Sequence, residues 1–183
     1  CLNEFLFKGP DLANSLALVL LRFREDPYAL MADIGDYFMR VGMPEEDWNA
    51  FRFLFFREDP GSQVEILRMI VHLFGAKSST TVAVFALQQC ARDHAATASS
   101  EAIKTILRNF YIDDLLKSVK DEEIGIELIK ELTQILADGG FHLNKWVSNS
   151  KKILNSVPEE KLAKSVKRLS LIHISEPTRR TII

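Results

Sequence analysis

The sequence predicts an α+β fold, in which helices alternate with antiparallel hairpins. Three observations lead to this prediction. Residues 121–140, DEEIGIELIKELTQILADGG, carry acids in the first turn, apolar residues at helical spacing and a closing pair of glycines. Residues 47–74 hold two apolar runs with strand character, separated by the turn segment EDPGSQ. A second hairpin is predicted in NFYIDDLLKSV, where two short apolar runs flank an acidic pair.

Other helices and strands fit between these elements. Residues 9–26 read as a helix with Pro10 in the first turn and Asp11 or Asn14 as the cap. Residues 79–94, capped by Ser78 or Ser79, and residues 99–107 are also predicted helices, whereas YALMADI and FHLNKW are predicted strands. The expected apolar faces are Leu16, Leu18, Val19 and Leu20 in the first helix, and Ile124, Leu128, Leu132, Ile135 and Leu136 in residues 121–140.

Composition indicates one globular domain. The chain has 183 residues, of which 47% are hydrophobic and 26% charged, enough for one core and too few for two large domains. No apolar stretch reaches the length of a membrane span, and a start at Cys1 leads us to expect a fragment. Cys90 lies in a helical pattern and is expected to be a small buried hydrophobe. The cysteine and histidine spacings support neither a disulfide nor a zinc site.

Charge is distributed unevenly along the chain. The net charge is −2, yet residues 121–138 hold six acids and one lysine, whereas residues 145–168 hold seven bases and two acids. The basic stretch is either a surface for phosphates or an ordinary solvated face.

The last 14 residues, SLIHISEPTRRTII, continue none of the patterns before them. Composition changes abruptly after Leu169, and the segment reads as a translated sequencing adapter, with an ordinary frayed terminus as the alternative. We therefore expect one domain over residues 1–169 and a non-native tail over residues 170–183.

Three acids are the candidates for chemistry. Asp113 and Asp114 lie side by side between two apolar runs, where unneutralised like charges raise one another's pKa. Asp33 ends another apolar run and would join them if the two predicted strands are neighbours in one sheet. Hard divalent cations offset such repulsion with oxygen ligands, and pairs of these ions serve phosphoryl transfer in polymerases and nucleases.

The motifs together resemble the reverse transcriptase of BEL/Pao-type LTR retrotransposons, over residues 2–169. ALMADIGDYFMRV resembles the first catalytic motif of that family, and FYIDDLL resembles its catalytic hairpin. LNEFLFKGPDLANSLALVLLRFR, HLFGAKSSTTVAVFAL and ELIKELTQILADGGFHLNKWVSNS resemble, in turn, the lead-in, the helix beneath the template and the closing helix and strand. The resemblance implies a polymerase palm, which is a four-stranded antiparallel sheet of ferredoxin or RRM type backed by helices, with part of the fingers.

The resemblance also implies catalytic roles. Asp33 and Asp113 would bind two Mg²⁺ ions, or Mn²⁺, with Asp114 as a weaker or structural partner. The backbone carbonyl of Ile34 would be a further metal ligand. Lys145 would protonate the departing pyrophosphate, and its structural alternative is a solvated strand lysine.

Nucleotide contacts follow from the same resemblance. Ile34, Gly35, Phe38 and Gly75 would surround the incoming deoxynucleotide, with Phe38 as an aromatic gate under the sugar and Gly75 allowing close backbone approach. Phe38 as a core residue and Gly75 as an ordinary turn glycine are the alternatives. Gly35 and Asp36 stand where the family typically has Glu and Lys.

The implied activity is RNA-directed DNA polymerisation, with in-line attack of a primer 3′-oxygen on the α-phosphate. Implied partners are an RNA or DNA template-primer, deoxynucleoside triphosphates and the other domains of a Pol polyprotein, without a membrane, in cytoplasmic virus-like particles. Because part of the fingers and the primer grip would be missing, we expect weak or no polymerisation by the chain alone. The alternatives are a catalytically dead remnant, or a nuclease or nucleic-acid-binding module in which Asp33 and Asp113 lie far apart.

Overall fold

The computed structural model describes residues 2–56 and 63–164, which form helices and antiparallel strands. In chain order the described elements are α1 (Leu2–Phe5), α2 (Leu16–Arg22), β1 (Tyr28–Ile34), a 3₁₀ helix (Tyr37–Arg40), a second 3₁₀ helix (Glu45–Phe51), β2 (Arg52–Phe55), β3 (Glu65–Arg68), α3 (Ser79–Asp93), α4 (Ser100–Arg108), β4 (Phe110–Tyr111), β5 (Asp114–Val119), α5 (Glu122–Asp138), β6 (Leu143–Ser148), α6 (Lys151–Asn155) and a third 3₁₀ helix (Glu159–Lys161). Most of the predicted turn EDPGSQ and the predicted 169/170 boundary lie outside the described residues.

The main sheet has four antiparallel strands in the order β4-β5-β1-β6. β1 pairs with β5 from Tyr28 opposite Val119 to Asp33 opposite Asp114, and with β6 on its other side. Along β1, Leu30, Ala32 and Ile34 are buried while Asp33 between them is only partly covered. Because successive side chains point to opposite faces of a strand, Asp33 lies on the face that the core does not cover. The α+β prediction is confirmed at this level.

Helix α5 covers the core face of the sheet and packs against α3, α4 and α6. The Asp121 carboxylate accepts a hydrogen bond from the Ile124 N–H at 2.9 Å, which caps its first turn. The buried face of α5 comprises Gly125, Leu128, Ile129, Leu132, Ile135 and Leu136. The prediction that Ile124 belongs to this face is wrong, since Ile124 is 43% exposed. Gly125 belongs to the buried face instead. It packs so closely against Ile153 that a Cβ on Gly125 would lie 2.9 Å from Cδ1 of Ile153.

The first long helix is shorter than predicted. It begins at Leu16, so Pro10 and Asp11 precede it, and the Asn14 side chain caps nothing. The Asn14 amide donates instead to the carbonyl oxygens of Leu107 and Phe110, at 3.1 and 2.9 Å. Of the expected apolar face only Val19 is buried, while Leu16, Leu18 and Leu20 are exposed. Asn14 therefore attaches this segment to the end of α4 rather than starting α2.

The hairpin of β2 and β3 is confirmed, but its strands are shorter than predicted. Residues 45–51 form a 3₁₀ helix before β2 begins, and β3 ends at Arg68. All four residues of β2 are exposed. The backbone of residues 41–43 joins residues 70–72 through the hydrogen bonds Met43 N–H to Ile70 O and His72 N–H to Val41 O, both 2.9 Å. These bonds tie the hairpin to the rest of the fold.

The remaining predictions for local structure have mixed outcomes. Ser99 caps α4 by accepting a hydrogen bond from the Ala102 N–H at 3.1 Å, whereas Ser78 precedes α3 without a side-chain cap. Cys90 is buried, as predicted, and its thiol donates to the Ile135 carbonyl at 3.1 Å.

Among the helices of the described residues, none combines the length and apolar character needed to cross a membrane.

The placement of α5 can be tested with two matched truncations. Leu132 is fully buried, so Leu132→Ala should lower the free energy of unfolding by about 2–5 kcal/mol through the cavity that it leaves. Ile124→Ala, on the exposed side of the same helix, should cost less than about 1 kcal/mol. Urea denaturation of both variants measures these differences, and equal losses would contradict the observed face of α5.

Candidate active site

The end of β1 is tied to both neighbouring strands beside Asp33. The Ile34 N–H donates to the carbonyl oxygen of Asp113, and the Gly35 N–H donates to the carbonyl oxygen of His142, each at 3.0 Å. Asp33 itself lies opposite Asp114 of β5 and Asn144 of β6. Backbone pairing therefore places the predicted acids of two distant segments at one end of the sheet.

Asp113 occupies a two-residue turn between β4 and β5. The turn follows from the pairing of Tyr111 with Asp114, which leaves Ile112 and Asp113 as its central residues. Ile112 has φ of 57°, a left-handed conformation that costs a β-branched residue about 1–2 kcal/mol. Its side chain lines a small cavity with Asn14 and Phe110, whereas Asp113 lines the cleft described next.

An open cleft of about 540 Å³ contains most of the predicted site residues. The cleft is lined by Asp33, Ile34, Gly35, Asp36, Tyr37, Phe38, Met39, Phe74, Asp113, Asn144 and Lys145. Asp114 and Gly75 adjoin lining residues in sequence but do not line the cleft themselves. The structure thus brings together six of the eight predicted residues and leaves Asp114 and Gly75 at the margin.

The acids interact electrostatically, as their sequence positions suggested. The pKa of Asp114 is raised, first by partial burial and then by the negative charges of Asp113 and Asp33, and the Lys145 ammonium offsets part of this rise. Burial raises the pKa of the Tyr37 hydroxyl, and the charge of Asp113 adds to this effect. The cleft therefore holds an excess of negative charge that a cation would offset.

Lys145 contacts Asp33 where the pairing of β6 with β1 is irregular. The pairing of β1 with β6 shifts between Met31 opposite Val147 and Asp33 opposite Asn144, and Lys145 has φ of 53° at this irregularity. Its ammonium donates to Oδ2 of Asp33 in an ion pair. This hydrogen bond is the main cause of the raised pKa of Lys145. The lysine side chain is 72% exposed, so it is solvated and bonded to Asp33 at the same time.

The two oxygens of Asp33 have different surroundings. Oδ1 is buried and accepts no hydrogen bond from any described residue. Within residues 2–56 and 63–164, no three His, Cys, Asp or Glu side chains are grouped to hold a metal ion on their own. Mg²⁺, however, is commonly held by one or two carboxylates and completes its coordination with water and substrate oxygens. Asp33, Asp113 and the backbone at Ile34 fit that kind of site.

An aromatic wall borders the acids. Phe38 is half-buried, and its ring meets the edge of Phe74 at a centroid distance of 5.2 Å. Phe74 is 83% exposed and therefore presents its ring to solvent at the cleft. Gly75 follows with φ of 91°, and no atom lies within 4 Å of a Cβ built on it. Gly75 is required there by its backbone conformation, not by crowding.

The sequence analysis predicted no site role for five cleft residues, which are Asp36, Tyr37, Met39, Phe74 and Asn144. Asn144 donates its amide to the His142 carbonyl at 3.1 Å, and a Cβ on Gly35 would lie 2.7 Å from the same amide nitrogen. Tyr37 is 3% exposed, and its hydroxyl has no hydrogen-bond partner among the described residues. The alternation of FHLNKW placed Asn144 on a strand, but only the register of β6 places it opposite Asp33.

No protein-family model matches the chain, and a comparison with curated proteins also finds no match.

The repulsion among the acids predicts a pH-dependent stability effect. The raised pKa means that the folded state holds the Asp114 proton more tightly than the unfolded state, whose pKa is near 3.8. The stability associated with Asp114 is therefore greatest below pH 3.8 and is lost as pH rises through the folded pKa.

Asp114→Asn should accordingly be more stable than the wild type at pH 7 without divalent cations, and equal to it near pH 3. Solvent screening limits the gain to less than about 1 kcal/mol. Urea denaturation at the two pH values measures it, and a variant that is less stable at pH 7 would contradict the proposed repulsion.

Proposed function

We propose that this chain is the palm, with part of the fingers, of a reverse transcriptase of the BEL/Pao retrotransposon type. Its reaction would be template-directed transfer of a deoxynucleotide to a primer 3′-hydroxyl. The observation that supports this most is the placement of Asp33 and Asp113 in one cleft, with Asp33 on β1 and Asp113 in the turn before the adjacent strand β5. The two acids are 80 residues apart in the chain, taking 33 from 113.

The unpartnered Oδ1 of Asp33 strengthens the proposal. A buried carboxylate oxygen without a hydrogen bond costs about 1–3 kcal/mol or more, and a cation bound to the same carboxylate would offset part of that cost by neutralising its charge. Asp33 and Asp113 would hold the cation, together with the Ile34 carbonyl. Bound Mg²⁺ or Mn²⁺ would supply positive charge next to the primer oxygen and the phosphate.

The other cleft residues would orient the nucleotide. Phe38 and Phe74 provide an aromatic surface on which a sugar or base can lie. Gly35 exposes backbone at the end of β1, where a side chain would collide with Asn144. Lys145 places a protonated ammonium in the same cleft, from which it would donate a proton to the departing pyrophosphate.

Cation binding tests the role of the two acids on the chain as it exists. Millimolar Mn²⁺ or Mg²⁺ should raise the melting temperature of the wild type, since a ligand that binds only the folded state stabilises it. Asp33→Asn and Asp113→Asn should abolish this rise. Asp93→Asn, at the end of α3 and outside the cleft, is the control and should respond like the wild type.

A wild type that melts at one temperature with and without either cation would contradict the proposed site. Primer extension by the complete polymerase of the element should fall at least about a thousandfold in the same two variants. Cation binding without any primer extension would identify a catalytically dead remnant.

The proposed contact of Phe38 with the sugar predicts a change in selectivity. Phe38→Ala should raise the incorporation of ribonucleotides relative to deoxynucleotides about 10–100-fold, because the space for a 2′-hydroxyl increases. Met39→Ala, which lines the cleft one residue further on, is the matched control. Competition assays on primer-template with the complete polymerase measure the ratio. An unchanged ratio would assign Phe38 to the core alone.

A further inference from the structure

The ion pair of Lys145 and Asp33 joins two groups with opposite surroundings. The Asp33 side chain is 19% exposed and its Oδ1 is buried, which leaves Oδ2 as the oxygen that ligands from the cleft can reach. The Lys145 ammonium bonds that same Oδ2. A positive side chain therefore stands on the carboxylate oxygen that a cation entering from the cleft would meet first.

We propose that Lys145 is a tethered counter-ion, which neutralises Asp33 in the cation-free protein and must leave it when a divalent cation binds. This inference rests on the proposed function, because it concerns the same cation site. Lys145 and a cation compete for one oxygen, so the lysine weakens cation binding. It also protects the acidic cleft from its own repulsion when no cation is bound.

The backbone of β6 supports this role. Lys145 stands at the irregularity in pairing, with φ of 53°, whereas regular strand geometry would alternate its side chain with that of Asn144. This conformation costs a non-glycine residue about 1–2 kcal/mol, and the position is nevertheless occupied by lysine and not by glycine. The strained position is thus occupied by a long, positively charged side chain that bonds Asp33 within the cleft.

Displacement would leave the ammonium charged and inside the cleft. Once its bond to Asp33 is broken, Lys145 keeps its proton at neutral pH as any solvated lysine does. Its side chain is 72% exposed and is free to turn toward another anion. Cation binding would therefore release a positive group toward the phosphates of a nucleotide, which couples the two binding events.

The test compares cation affinities of the full chain at low ionic strength, by titration with Mn²⁺ in a calorimeter. Lys145→Met keeps the length of the side chain and the non-glycine backbone but removes the charge. It should bind Mn²⁺ about three- to tenfold more tightly than the wild type, and the difference should shrink as salt screens the pair. Lys145→Arg keeps the charge and should retain an affinity close to that of the wild type.

Lys152→Met is the matched control. Lys152 also forms an ion pair, with Glu123 at the junction of α5 and α6, and lies outside the cleft. Its loss should leave Mn²⁺ affinity unchanged. Equal or weaker Mn²⁺ binding by Lys145→Met, with unfolding curves that show a folded protein, would overturn the proposal.

A measurement on the wild type avoids the question of whether a variant folds. The side-chain ammonium signal of Lys145 in nitrogen-detected NMR should shift on addition of Mg²⁺, as the bond to Asp33 breaks. A signal that stays constant while Mg²⁺ binds would overturn the displacement. Failure of the proposed function has a different signature, since Mn²⁺ would then bind neither the wild type nor Lys145→Met, and Asp33→Asn would change nothing.

Discussion

The site depends on the way the C-terminal end of β1 is fixed between its two neighbours. The Ile34 N–H bonds to the carbonyl of Asp113 on one side, and the Gly35 N–H bonds to the carbonyl of His142 on the other. Each bond is an ordinary backbone contribution of about 1 kcal/mol, but together they fix the relative positions of three distant chain segments. Asp33, Asp113 and the bulged part of β6 share a cleft because these bonds leave them no other arrangement.

This arrangement is held against local strain. Among the described residues, the non-glycine residues with positive φ are Asp36, Ile112 and Lys145. Asp36 and Lys145 line the cleft, and Ile112 immediately precedes Asp113. Such conformations persist only where the surrounding structure holds them, and they concentrate at functional sites. The buried face of α5, which packs on the opposite side of the sheet, supplies that support.

Sequence periodicity was sufficient to predict the main helices and strands, but it was too coarse to predict which face of each helix is buried. The acidic first turn and regular apolar spacing of residues 121–140 predicted α5 correctly. Ile124 and Gly125 are neighbours on this helix, and only packing against Ile153 decides which of them is buried. The predicted start of the first long helix at residue 9 was wrong for another reason. Its polar start is used for a long-range bond from Asn14 to Phe110, which no local pattern encodes.

The site residues that end apolar runs could be predicted from the sequence. The residues whose position depends on the pairing register of the strands could not. Asp33 and Asp113 could be predicted because a carboxylate beside buried apolar residues is costly unless a partner or a cation neutralises it. The position of Asn144 could not be predicted, since it follows from the single-residue shift in the pairing of β1 with β6. A shift of one residue moves a side chain to the other face of a sheet. The chemistry of the cleft therefore depends on an irregularity of β6, which places Asn144 opposite Asp33 while Lys145 bonds the same acid.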